Sequence, residues 1–264
     1  MTEELKKDLR LSVSKTKTYL DCQAKYKFSY VLKMPQKDNT YTIFGKFCHK
    51  VLEDFHLAYL AGSQEKYNVV MSKAFKDTLV EYKEKMTSEM KKECFDIINQ
   101  YLKIVSDDKK NNLSANVLSC EKRFEFECAP NLILNGMIDR VQLDDDGIIH
   151  VGDYKTIKNK KYLKNNDLQL LTYAYYMLSQ EYPDAEKVRC SYILLRHDFE
   201  YVTYEYTRED AMKAKDLYLE YSEKILNETE YKPTVSALCA YCSYVNICEP
   251  GQKRANIFNG EVNW

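Results

Sequence analysis

The chain has 264 residues, 45% hydrophobic and 30% charged, enough apolar material for one large core. Its 7 Gly and 5 Pro exclude a collagen-like or low-complexity chain, and a net charge of −1 confines any nucleic-acid surface to a local basic patch. No apolar run reaches the length of a membrane span and the opening MTEELKKDLR has no apolar signal segment, so a cytoplasmic protein without membrane association is expected.

In chain order, Ser14 is placed to cap a first helix that runs to about Leu32 and stops at Pro35. Phe44, Phe47, Val51, Phe55 and Ala58 recur at helical spacing and predict the buried face of a second helix over 44–60, ended by Gly62-Ser63. A charged helical arm over 64–112 follows, broken near Thr87-Ser88 and closed by Asn111-Asn112. Its charges read as a solvated face, and it carries no recognisable chemistry.

From 116 the period changes to two. CEKRFEFEC and LILNGMIDRVQL predict a hairpin turning at Asn131, and IIHVGDYKTI predicts a third strand after the Asp144–Gly147 turn. A helix over 167–182 ends at Pro183. VRCSYILL and FEYVTYEYT predict two more strands, and Thr207-Arg208-Glu209-Asp210 resembles a capping box for a long helix to about Asn227. The cysteine-rich segment 228–264 shows little regular pattern. The order predicts a single α/β domain over 1–264, a mixed central sheet flanked by helices.

On the predicted second and third strands, Asp139 and Asp153 can stand side by side. Two such carboxylates repel unless a cation sits between them, and oxygen ligands suit Mg²⁺ or Mn²⁺. Lys155, two residues after Asp153, shares its face and can steady charge that builds on a phosphate. Ordinary ion pairs on an edge strand explain the spacing equally well. His49 is followed by Glu53 and His56 along a polar helical stripe, and offers either an imidazole ligand or a surface His–Glu pair. Gln169 and Tyr173 lie four apart on the helix that follows Asp153-Tyr154-Lys155.

Taken in order, G-x-x-x-H (Gly45 to His49), G-x-x-D-R (Gly136 to Arg140), D-Y-K-T (Asp153 to Thr156) and Q-x-x-x-Y (Gln169 to Tyr173) resemble the RecB-type branch of the PD-(D/E)XK nuclease superfamily, over about residues 12–250. The resemblance implies a restriction-endonuclease-like core, a divalent ion held by His49, Asp139 and Asp153, and a catalytic Lys155. It further implies that Gln169 and Tyr173 line the site.

Nine cysteines, an odd number, suit a reducing compartment with free or metal-bound thiols. Cys239, Cys242 and Cys248 form C-x2-C-x5-C, and LSVSKTKTYLDC resembles the segment before the first cluster cysteine of iron–sulfur nucleases of this type, which implies Cys22 as the fourth ligand. Gln23 departs from the proline that often follows there. Four thiolates suit a 4Fe-4S cluster or zinc, and one distant cysteine plus a triplet resembles the iron–sulfur staple of AddB and of CRISPR-associated RecB-like nucleases. Such a cluster would close the C-terminal segment against the N-terminal helical region. The remaining cysteines, 48, 94, 120, 128 and 190, read as core.

Lys158, Lys160, Lys161 and Lys164 crowd the segment after Lys155 and suit backbone phosphates, while Tyr154, Tyr162 and Tyr173 offer rings for stacking on unpaired bases. The resemblance implies an exonuclease for single-stranded DNA or DNA ends, in recombination and repair or CRISPR adaptation. No G-x-x-x-x-G-K-[ST] loop occurs, so a helicase, recombinase or CRISPR adaptation protein is the expected kind of partner. A non-catalytic DNA-end-binding or assembly subunit on the same fold is the alternative.

Overall fold

A computed structural model describes residues 8–36, 38–107, 116–163 and 168–261. The first half holds strand β1 (Leu9–Leu11) and helices α1 (Val13–Asp21), α2 (Gln23–Tyr26), α3 (Thr40–Leu60), α4 (Tyr67–Tyr82) and α5 (Ser88–Asp107). Strands β2 (Val117–Ala129), β3 (Leu132–Leu143) and β4 (Ile149–Lys155) follow, then helix α6 (Leu168–Tyr176). Strands β5 (Lys187–Leu194) and β6 (Glu200–Thr207) precede helices α7 (Arg208–Leu226) and α8 (Glu249–Glu261).

The chain divides into two compact units. One draws its described residues from within 1–39, 125–135 and 216–264, the other from 40–124 and 136–215. In the second unit β3 runs antiparallel to β4, from Leu143 opposite Ile149 to Arg140 opposite Gly152. Strand β4 is parallel to β5, with Asp153 opposite Tyr192 and Lys155 opposite Leu194, and β5 is antiparallel to β6. β2 pairs with β3. In the first unit β1 lies parallel to the start of β3, Leu9 opposite Leu132. The result is the expected mixed sheet flanked by helices.

The helical stripe of α3 explains why the second unit coheres. Phe44, Phe47, Cys48, Val51, Leu52 and Phe55 are buried at the i, i+3, i+4, i+7 spacing of one face. They pack with Met71, Ile98 and Tyr101 from α4 and α5 and with Tyr154 and Ile193 from the sheet. Each fully buried Phe or Leu of that cluster contributes about 1.5–3 kcal/mol. The charged arm of the sequence is thus α4 and α5 turned apolar face inward. Its closing turn at 111–112 lies outside the described residues.

Asp144, His150, Ser191 and Thr203 form a hydrogen-bonded chain: His150 Nδ1 is 3.1 Å from Asp144 Oδ1, His150 Nε2 is 2.6 Å from Ser191 Oγ, and Ser191 Oγ is 2.7 Å from Thr203 Oγ1. The connectivity matches a nucleophilic triad, but Ser191 is fully buried and no substrate reaches it, so the chain staples the sheet.

Several boundaries differ from those read off the sequence. The first helix starts one cap earlier, with Ser12 Oγ accepting from the Lys15 amide at 3.2 Å, and it breaks at Cys22, whose backbone is extended at φ −164°. The chain resumes as α2 and a π turn over Lys27–Val31. The C-terminal tail is not irregular: 3₁₀ turns over Ala237–Tyr241 and Val245–Ile247 lead into α8. At the start of α7 the cap is Thr207 with Asp210, each side chain accepting from the other's backbone amide, as the sequence suggested.

Gly136 in β3 is required by packing. An added Cβ would lie 2.5 Å from Phe124 Cζ, and the Phe124 ring stacks on Tyr176 with centroids 4.6 Å apart. Gly136→Ala should therefore cost about 1–3 kcal/mol of stability, read as a lower urea midpoint at unchanged slope. An unshifted midpoint would mean that the ring yields freely.

Candidate functional site

The register of β3 and β4 sets the site. The last paired residues are Arg140 and Gly152, so the next positions are Asp139 and Asp153. There the ladder gives way to a side chain: the Tyr154 amide donates to Asp139 Oδ2 at 2.7 Å. His49, at the edge of the apolar face of α3, brings Nδ1 to 3.5 Å from the same oxygen.

Asp153 is almost fully buried and sits in a different set of contacts. Gln169 Nε2 donates to its Oδ1 at 2.6 Å, and Tyr173 Oη, at 3.2 Å from Oδ1, also lies 2.9 Å from the Met137 carbonyl oxygen. Lys155 Nζ forms an ion pair with Asp153 Oδ2 at 2.5 Å and donates to Gln169 Oε1 at 2.9 Å. Lys155 also stands over the Tyr192 ring, 5.1 Å from its centroid. A cation on an aromatic face gains about 0.5–2 kcal/mol, most where water is excluded.

One acidic residue escaped the sequence reading. Single ligand atoms of His49, Glu121 and Asp139 all lie within 4.8 Å of one another, and this is the group of three or more His, Cys, Asp or Glu found at that spacing among the described residues. Asp153 stands outside it. Glu121 is in the left-handed region at φ 46°, inside β2. That backbone costs a non-glycine residue about 1–3 kcal/mol and breaks the alternation of faces along the strand. The signal in the sequence is only that CEKRFEFEC carries a Glu near the site's end of the hairpin. The groove at this place, about 560 Å³, is also lined by Lys46, Lys50 and Tyr82.

The charges are set against one another. Burial opposes ionisation of Asp139, but the adjacent His49 and the Tyr154 amide outweigh it and lower its pKa. Asp153 is raised, by burial first and by Asp139 in addition, although Lys155 pulls the other way. Burial, then Asp139 and Glu53, lift Glu121 to about 7. For His49 burial favours the neutral ring, yet the charge and hydrogen bond of Asp139, with Asp153 behind, lift it to about 9.

Other expected positions fall out differently. Tyr154 and Tyr173 are each 4% exposed, so neither ring is presented for stacking on a base; Tyr154 packs edge-on to His49 and Tyr173 closes over Asp153. Lys158 and Lys161 are exposed and Lys160 pairs with Glu200, while Lys164 and the Tyr162 ring fall outside what the structure describes.

In the first unit Cys22, Cys239, Cys242 and Cys248 line one pocket, walled by Phe28, Pro233, Tyr244 and Val245. The Thr234 amide points at Cys22 Sγ at 3.4 Å and the Ser236 amide at Cys239 Sγ at 3.5 Å. Gly251 leaves room: a Cβ there would lie 3.2 Å from Cys248 Sγ and 3.8 Å from Cys239 Sγ. Of the other cysteines, 48, 94, 128 and 190 are buried and 120 is half-buried.

The His49 shift has a thermodynamic consequence for the protein kept in chelator. Its folded pKa exceeds the unfolded value of 6.5, so the folded state binds the extra proton and its stabilisation is complete below 6.5 and lost as pH rises through about 9. The melting temperature should fall across that window, and His49→Ala should flatten the fall. Parallel slopes for parent and variant would refute the pairing with Asp139.

Similar proteins point the same way. A model of the PD-(D/E)XK nuclease superfamily matches residues 10–249. An ATP-dependent helicase/deoxyribonuclease subunit from Streptococcus agalactiae is 28% identical over 185 residues, covering 66% of this chain and 17% of that protein. The chain thus spans under a fifth of the curated relatives it matches. The solved structure of a presumed exonuclease from Eubacterium rectale superposes with a TM-score of 0.53 at 13% identity, over 89% of this chain and 87% of the other. With an acidic strand pair, a lysine and a helical glutamine converging on one place, and with the superfamily match running through all of them, the chain belongs to the PD-(D/E)XK nuclease superfamily.

Proposed function

We propose that the protein is a divalent-metal-dependent DNA exonuclease that hydrolyses phosphodiester bonds in single strands or at duplex ends. The observation that carries this reading is the approach of His49, Glu121 and Asp139 to within 4.8 Å, beside the Asp153–Lys155–Gln169 set. One imidazole and two carboxylates form a donor set that fits Mg²⁺ or Mn²⁺. His49, Asp139 and Glu121 would hold the ion, while Asp153, opposite Asp139 on the paired strand, is engaged by Lys155, Gln169 and Tyr173. A bound ion would supply positive charge to the scissile phosphate and acidify a water.

The chain's own groups do the rest. Asp139, kept ionised by His49 and the Tyr154 amide, holds its oxygen in place. Gln169 and Tyr173 fix Asp153, and Gln169 also orients the ammonium of Lys155, whose side chain is 27% exposed and able to meet charge that builds on a phosphate oxygen. Lys46 and Lys50 in the groove, with Lys158 and Lys161 beyond it, suit the DNA backbone. DNA opening would come from a helicase partner or from further sequence, since no phosphate-binding loop of the helicase type occurs here. Recombination, repair and CRISPR adaptation are the settings in which such a nuclease serves.

We infer in addition that the four-cysteine pocket holds a 4Fe-4S cluster. Sulfurs around one tetrahedral zinc sit about 3.8 Å apart, from the usual zinc–sulfur distance of about 2.3 Å. Among the described residues no three of the cysteine sulfurs come within 4.8 Å of one another, which suits a larger polynuclear group. The amides aimed at two sulfurs and the space at Gly251 favour anionic thiolates around such a group.

Two experiments test these readings. End-labelled oligonucleotides with Mn²⁺ or Mg²⁺ should be shortened from their ends, and Asp153→Asn or Lys155→Met should slow this by about 100-fold or more; an inert parent protein, or a Lys155→Met variant at the parent rate, would sink the assignment. Protein prepared without air should be brown with iron and sulfide, and Cys248→Ser should lose the colour and melt lower. A colourless, zinc-loaded parent would exclude the cluster.

A further inference from the structure

The strand register carries one residue into the reaction that no motif marks. Tyr192 lies directly opposite Asp153 in the parallel β4–β5 pair, so its side chain leaves the same face of the sheet as Asp153 and Lys155. It is 1% exposed, and the Lys155 ammonium stands 5.1 Å from its ring centroid. Asp153 Oδ2 at 2.5 Å and Gln169 Oε1 at 2.9 Å hold the same nitrogen from other directions.

A lysine on four rotatable bonds loses considerable freedom when fixed at one point, so each contact that narrows the range of its ammonium helps to hold it there. A ring face supplies a broad contact of this kind that is attractive to a cation. It also keeps water from one side of the ammonium, which strengthens the field the ammonium projects to the side that remains open. We propose that Tyr192 is a positioning residue of the nuclease site, its ring face fixing the Lys155 ammonium where charge develops on the DNA phosphate. This rests on the nuclease reading above and adds a residue to it.

The interaction is with the ring and not with the hydroxyl, and this makes it separable from packing. Tyr192→Phe should retain the parent kcat within about twofold. Phenylalanine bearing one, two and three ring fluorines, placed at 192 by amber suppression, keeps the shape while draining the negative face of the ring. Along that series kcat on single-stranded oligonucleotide should fall stepwise, by about tenfold in total, with KM and the affinity of the metal-free protein for the same strand unchanged. Equal melting temperatures across the fluorinated set show that the fold is intact, a control that the cruder Tyr192→Leu does not guarantee.

A flat kcat across the fluorinated set would overturn the inference, as would a loss carried by KM instead. Lys155→Met, run in parallel, separates the two levels. If that variant retains the parent rate, the role given to Lys155 fails and the nuclease reading with it. If it is inactive while fluorination has no effect, only the role of Tyr192 fails.

Discussion

Two carboxylates at the end of one strand pair are the constraint on which the site depends. Once β3 and β4 pair through Arg140 and Gly152, Asp139 and Asp153 follow at the next position, Asp153 buried and Asp139 half-buried at the groove. Left to themselves they could not both be ionised. The protein divides them instead. Asp139 receives His49 and a backbone amide, and Asp153 receives Lys155 and the Gln169 amide. His49 and the amide push Asp139 down against its burial, whereas burial and the neighbouring Asp139 raise Asp153 in spite of Lys155, the pattern by which a single fold prepares unlike roles for like groups.

This arrangement ties the apolar core to the chemistry. Tyr154 lies between two residues of the D-Y-K motif that point the other way, and its ring belongs to the cluster that α3, α4 and α5 build on the sheet. Its amide serves Asp139, and its ring packs edge-on to His49 with centroids 5.7 Å apart. Packing that anchors the ring therefore also aims a carboxylate and an imidazole. Arg140, 1% exposed on that same side of β3, reaches Tyr101 Oη at 3.4 Å, and Tyr101 in turn meets His56 at 2.7 Å. Arg140 also donates to Gln142 Oε1, and a buried guanidinium held in this way is costly to disturb, because removal of the Tyr101 phenol takes one of its hydrogen bonds and no water replaces it.

What the sequence disclosed follows from which rules act over short distances. Helical and strand periods placed His49, Asp139, Asp153, Lys155, Gln169 and Tyr173 on definite faces, and the strand register then needed only one turn, Asp144–Gly147, to bring the two acids level. Glu121 was hidden because parity along a strand assigns faces correctly only while φ stays negative, and at 121 it does not. Tyr192 was hidden for the opposite reason. Parity puts it on a covered face where an aromatic reads as core, and nothing local says that a lysine from the neighbouring strand will sit on it. Tyr154, expected as a ring for stacking on a base, turns into the core instead, because a strand sends neighbours to opposite sides.

The cysteine region shows where local rules are overridden. No Gly or Pro interrupts the sequence around Cys22, and helix propensity alone carries the first helix through it, yet the backbone there is extended. The extended residue lets the Cys22 sulfur enter a pocket whose other three sulfurs come from more than two hundred residues later. Pro250 and Gly251, in the segment where the sequence shows little regular pattern, open α8: proline suits a first turn that has no use for its missing amide, and glycine clears space for two sulfurs. Backbone preference and backbone conformation thus disagree most at Cys22 and Gly251, the places where the chain brings cysteine side chains from its two ends to line one pocket.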